Sequence, residues 1–146
     1  MTKEKYPRPL KWLNLEICEG IYKAYKFFGP QAGVGVPIPD FDSRYPHALE
    51  SILGTVQYKA DTLKFDVKKT AIYYFVYFVK SQCFLDANKR LAVIYTDFFL
   101  RINGYKLNMK QSTLRDIAII ISTNNTLSIP KTVRETIKIF DIVKRG

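Results

Sequence analysis

Apolar residues recur every three or four positions along much of the chain, which is the period of an amphipathic α-helix. The first such stripe predicts a helix over about 13–28 that ends at Gly29 and Pro30. The segment from Val67 to Ser81 is apolar on nearly every face, as is typical of a helix at the centre of a bundle. The pattern therefore predicts an all-α fold built around this segment.

The chain between these two helices is less regular. A Gly- and Pro-rich stretch predicts a loop over about 29–44, and HALESIL predicts a short helix that closes at Gly54. Alternating apolar residues over 56–65 predict a small β-hairpin.

The second half of the chain predicts three more helices. One begins near Ala87 and ends at Asn103, with Gly104 in the position after the helix end. LRDIAIIIST predicts the next, and KTVRETIKIFDIVK predicts a last amphipathic helix that starts at Pro130. A turn at 124–125 separates these two.

Length and composition favour an ordinary globular protein. The chain has 146 residues, of which 47% are hydrophobic and 25% charged, and it contains no repeat or linker, so we expect one domain over 1–146. No apolar run reaches the roughly 18 residues that a membrane span needs, and the N-terminus lacks the apolar segment of an export signal. We therefore expect a cytoplasmic protein without a membrane partner. Cys18 and Cys83 have no metal-ligand spacing, so we expect free thiols.

The chain is strongly basic. It has 23 Lys and Arg against 13 Asp and Glu, a net charge of +10. This charge is compatible with a nucleotide, an anionic substrate or a nucleic acid, and equally with a Lys-rich solvated surface. The aromatic residues follow core spacing and no nucleic-acid recognition motif is present, so a nucleic-acid partner is not favoured.

A dense polar cluster, DANKR, separates the two central helices. Lys89 and Arg90 fall on the first turn of the later helix, where cations oppose the helix dipole and where backbone N–H groups can bind phosphate. Asp86 is a hard oxygen ligand suited to Mg²⁺ shared with phosphates, and Asn88 can donate and accept hydrogen bonds. The cluster thus suggests a magnesium–nucleotide site. The alternative is an ordinary helix start with Asp86 as its cap, and the residue types alone favour that alternative.

The run QCFLDANKR resembles the signature of the Fic and Doc (death-on-curing) superfamily, His-x-Phe-x-(Asp/Glu)-(Gly/Ala)-Asn-(Gly/Lys)-Arg. Every constrained position from Phe84 onward matches, and HALESIL and TDFFLRINGYKL resemble the flanking segments, so the resemblance covers about 47–107. Ala87 and Lys89 are closer to the Doc branch. The resemblance implies a compact all-α domain that uses ATP and Mg²⁺ to modify a hydroxyl on a target protein.

The resemblance also implies roles for individual residues. It assigns catalysis to Gln82, Asp86 and Arg90, with Asp86 as the Mg²⁺ ligand. Nucleotide and phosphate binding falls to Phe84, Leu85, Ala87, Asn88, Lys89 and Arg90. In the Doc branch the γ-phosphoryl group goes to a target such as elongation factor Tu, and a separate antitoxin silences the toxin. The hairpin expected at 56–65 would be the flap that pairs with the target.

Gln82 departs from the family pattern. A histidine normally takes the proton of the attacking hydroxyl there, and an amide has no basicity near neutral pH. Gln82 is therefore a substitution that permits production of a toxin, the mark of a natural inactive form that still binds nucleotide or a partner, or a sign of slow substrate-assisted transfer. AMP transfer, the Fic reaction, is a further alternative, although Val93 stands where many Fic enzymes have a second phosphate-binding arginine. His47 is expected to be a surface or helix-start residue, not a replacement base.

Overall fold

A computed structural model describes residues 6–28, 44–81 and 88–146. These residues form six helices and a two-stranded antiparallel sheet, joined by turns and loops. The helices are α1 (Leu15–Phe28), α2 (Arg44–Leu63), α3 (Val67–Lys80), α4 (Asn88–Ile102), α5 (Gln111–Thr123) and α6 (Ile129–Ile139). The strands are β1 (Tyr105–Leu107) and β2 (Ile142–Lys144). The predicted all-α fold with a small β element is confirmed.

The central helix is α3, as its sequence predicts. Ten of its 14 residues are buried, and it contacts α2, α4, α5 and α6. The Tyr74 ring packs against Phe99 of α4 at 4.9 Å between centroids, and Phe75 packs at the same distance against Phe140 beyond α6. Full burial of such a side chain contributes roughly 1.5–3 kcal/mol, so α3 accounts for much of the stability of the core. The Asp66 carboxylate caps its first turn by accepting from the Lys69 N–H at 2.8 Å.

The short helix ending at Gly54 and the hairpin over 56–65 are both wrong, because α2 runs without interruption from Arg44 to Leu63. Its buried apolar residues have helical spacing and are Leu49, Ile52, Leu53, Val56 and Ala60. Gly54 lies on the exposed side, where a helical glycine costs only about 1 kcal/mol. Burial of the apolar stripe outweighs that cost, and the flap assigned to this segment does not exist there.

Helix α2 ends without a residue that is typical of a helix end. Lys64 adopts a left-handed conformation with φ of 59°, and the Phe65 N–H donates to the Ala60 carbonyl at 3.0 Å. This is a Schellman arrangement, in which glycine is the usual residue at the left-handed position. Because a lysine occupies it, the residue type does not reveal the helix end. The loop predicted over 29–44 lies outside the described residues apart from Arg44, where α2 begins.

The last helix is shorter than predicted, because α6 ends at Ile139 and residues 142–144 form β2. These residues pair antiparallel with β1, so that Leu107 lies opposite Ile142. The Asn108 N–H donates to the Asp141 carbonyl at 2.9 Å, and Ile142 is buried. The pairing satisfies backbone groups and buries an apolar residue, which helical continuation would not achieve for this segment. The predicted helices over 87–103 and 114–123 correspond to α4 and α5.

The C-terminal end of α4 is fixed by many hydrogen bonds. Asn103 Oδ1 accepts from the N–H groups of Leu10 and Lys11 at 2.8 and 3.1 Å, and Asn103 Nδ2 donates to the carbonyls of Lys11 and Phe99 at 2.9 and 3.0 Å. Gly104, with φ of 87°, occupies the predicted position after the helix end. One amide side chain thus fastens the N-terminal segment to α4.

Cys18 is a free, buried cysteine on α1, and burial raises the pKa of its thiol to about 12. The thiol therefore stays protonated at neutral pH and is not a nucleophile. None of the described helices is long and apolar enough to cross a membrane.

Candidate functional site

The predicted site lies between the end of α3 and the start of α4, and the structure describes only its second part. Gln82, Phe84, Leu85, Asp86 and Ala87 are outside the described residues. Their assigned roles stay predictions. The backbone of Asn88 begins α4, and the side chains of Lys89 and Arg90 lie exposed on the first turn.

The first turn of α4 carries cations where the helix dipole favours anions. It contains no acidic residue, whereas Lys89 and Arg90 are both present. A cation at this end is unfavourable by about 0.3–1 kcal/mol at an exposed position. Local conflicts of this kind are typical of functional sites, since a bound polyanion would relieve them. The described residues supply no carboxylate partner for either side chain.

Helix α1 forms one wall beside this turn. The Tyr95 hydroxyl of α4 donates to the Cys18 carbonyl of α1 at 3.0 Å, and Arg90 Nη1 donates to the Tyr25 hydroxyl at 3.4 Å. From the first contact to the second, the residue number increases along α1 and decreases along α4, so the two helices run antiparallel. The last turn of α1 therefore lies next to the first turn of α4. Its carbonyl end carries partial negative charge, which partly compensates Arg90.

Sequence reasoning missed Tyr25 as a site residue. Its position follows the apolar spacing of Cys18 and Tyr22, which are buried, so the pattern alone indicates a core residue. The structure shows a half-buried ring with its hydroxyl at the guanidinium of Arg90. The available signal was its chemistry, since a tyrosine at the edge of a core often directs its polar tip outward.

The other side of the site is anchored by the end of α3. The Ser81 N–H donates to the Tyr77 carbonyl at 2.9 Å, and Ser81 Oγ donates to the Phe78 carbonyl at the same distance. Lys80 Nζ donates to the carbonyl of Asn124, the residue that follows α5, at 2.8 Å. The end of α3, from which the segment toward α4 starts, is therefore held by hydrogen bonds of Lys80 and Ser81.

Three other residues that the sequence singled out lie as follows. Val93 is 7% exposed and belongs to the core side of α4, so this position contributes packing. His47 is exposed on α2, as expected for a surface residue near a helix start. Within the described ranges no three His, Cys, Asp or Glu side chains form a group able to hold a metal ion.

No protein-family model matches the chain, and no curated protein matches it significantly. The motif between α3 and α4, together with the cationic first turn of α4, therefore carries the functional argument.

Proposed function

We propose that this chain is a Fic/Doc-type transferase, closest to the Doc branch, which uses ATP and Mg²⁺ to transfer a phosphoryl group to a hydroxyl of a target protein. The observation that carries the proposal is the exposed Lys89–Arg90 pair on the first turn of α4, directly after Asp86 and Asn88 of the signature. Phosphoryl transfer needs mainly positioning and neutralisation of charge around the phosphate oxygens. Two cations on the first turn of a helix suit that task.

The residues of the motif fit a magnesium–nucleotide complex. Mg²⁺ keeps several waters and commonly takes only one or two carboxylates together with phosphate oxygens. Asp86 alone would therefore suffice as the protein ligand, and a cluster of three acidic residues is not needed. ATP and Mg²⁺ would supply the transferred group and part of the charge that balances it.

The residues of this chain would bind and orient. Lys89 and Arg90 would neutralise phosphate oxygens, and the Tyr25 hydroxyl would hold the guanidinium of Arg90 on the side that faces α1. Gln82 would orient the attacking hydroxyl through its amide without removing the proton. Loss of a general base typically costs about 10²–10⁴ in rate, so the proposal includes weak activity.

A second candidate function is a binding module that keeps the phosphate-binding turn without transfer. Gln82 is the specific observation that favours it, because the base expected in the family is missing. Nucleotide binding with no transfer, in this chain and in a variant with the histidine restored, would establish this second function.

The decisive experiment measures label transfer to protein from α- and γ-labelled ATP in a bacterial lysate, in parallel for this chain and for Gln82→His. We expect γ-label with both proteins and a rate about 10²–10⁴ higher for the histidine variant. Transfer of α-label would instead identify AMP transfer. Equal rates for the two proteins would show that position 82 is not the base and would overturn the mechanism.

The metal assignment and the target need separate tests. Asp86→Ala should abolish Mg²⁺-dependent ATP binding measured by calorimetry, and unchanged binding would refute the ligand role of Asp86. Purified elongation factor Tu is the first acceptor to try, since the Doc branch modifies it. That target implies a cytoplasmic site of action, and a separate antitoxin would be the expected inhibitor.

A further inference from the structure

We draw no further inference here: the strongest candidate, the exposed apolar groove that Ile120, Leu127 and Ile139 border between α5 and α6, carries none, because nothing in the described part of the chain shows what covers it.

Discussion

The two ends of α4 differ in how their charged side chains agree with the helix dipole. At the C-terminal end, Arg101 Nε donates to Asp97 Oδ2 at 2.7 Å, and the Arg101 carbonyl accepts from Gly104 N–H and Arg145 Nη1, both at 3.1 Å. At the N-terminal end, two cations face the positive end of the dipole, and the described contact of Arg90 is a 3.4 Å hydrogen bond. The side chains at the C-terminal end of α4 thus suit the helix dipole, whereas the side chains at the N-terminal end, where the motif lies, oppose it.

The difference separates what stabilises the fold from what is available for binding. Groups at the C-terminal end already have partners, so a ligand would gain little there. Cations at the N-terminal end lack a carboxylate within the described residues and have most to gain from a polyanion. Substitutions at the two ends should therefore change different quantities.

The largest effect is expected from reversing both cations. Lys89→Glu with Arg90→Glu should reduce ATP affinity about a hundredfold or more, because each charge-assisted hydrogen bond contributes about 1.5–3 kcal/mol. The same change should raise the free energy of unfolding by about 0.5–2 kcal/mol, since acids suit this helix end. Calorimetry and urea denaturation measure the two quantities.

A control variant with the same net charge distinguishes ATP binding at the first turn of α4 from binding that follows overall charge. Lys110→Glu with Arg115→Glu changes two exposed cations around the start of α5. ATP binding should be nearly unaffected there. If both double variants lose equal affinity, binding follows overall charge, and the contrast between the ends of α4 has no functional meaning.

Loss of the amide at the C-terminal end comes next. Asn103→Ala removes four hydrogen bonds and should lower the free energy of unfolding by about 3 kcal/mol, at roughly 0.5–1.5 kcal/mol for each bond. Asn108→Ala is the matched control, because its side chain makes one exposed hydrogen bond, to Asp141 at 2.7 Å. Its cost should stay below about 1 kcal/mol. Similar denaturation midpoints for the two variants would show that Asn103 does not fasten the N-terminal segment.

The glycine after α4 gives a smaller effect with a control of opposite sign. Gly104→Ala should cost about 1–2 kcal/mol, because φ of 87° is unfavourable for a residue with a Cβ although no atom lies within 4 Å of it. Gly54→Ala, also in open space but inside α2, should stabilise by about 0.5–1 kcal/mol. Thermal unfolding of both variants measures the pair, and shifts of the same sign would contradict the backbone explanation.

The features of the fold that local chemistry encodes could be predicted. The all-round apolar pattern of α3 and the glycine after α4 each have a direct physical meaning, and both predictions are confirmed. The end of α2 could not be found, because Lys64 takes a conformation that its residue type does not favour. Strand β2 could not be found either, since a distant segment, β1, decides its conformation.

The candidate site divides in the same way. The cationic turn can be predicted from the sequence, because Lys89 and Arg90 are neighbours within one motif and the pattern places them at a helix start. The role of Tyr25 cannot be predicted, because its contact with Arg90 joins residues 65 positions apart and depends on how α1 packs against α4. Local patterns specify a helix and its ends, whereas packing decides which side chains meet between helices.

The contact between Tyr25 and Arg90 gives the smallest expected effect, and it tests whether α1 supports the cationic turn of α4. Tyr25→Phe keeps the ring and removes one long hydrogen bond, so the free energy of unfolding should change by less than about 0.5 kcal/mol. If the hydroxyl holds Arg90 for phosphate, ATP affinity should fall by about two- to threefold, with no further loss when Tyr25→Phe is added to Arg90→Ala. Tyr58→Phe, at a 71% exposed tyrosine of α2, should change neither quantity. Additive losses in the double variant would mean that Tyr25 acts independently of Arg90, and the cationic turn would then work without support from α1.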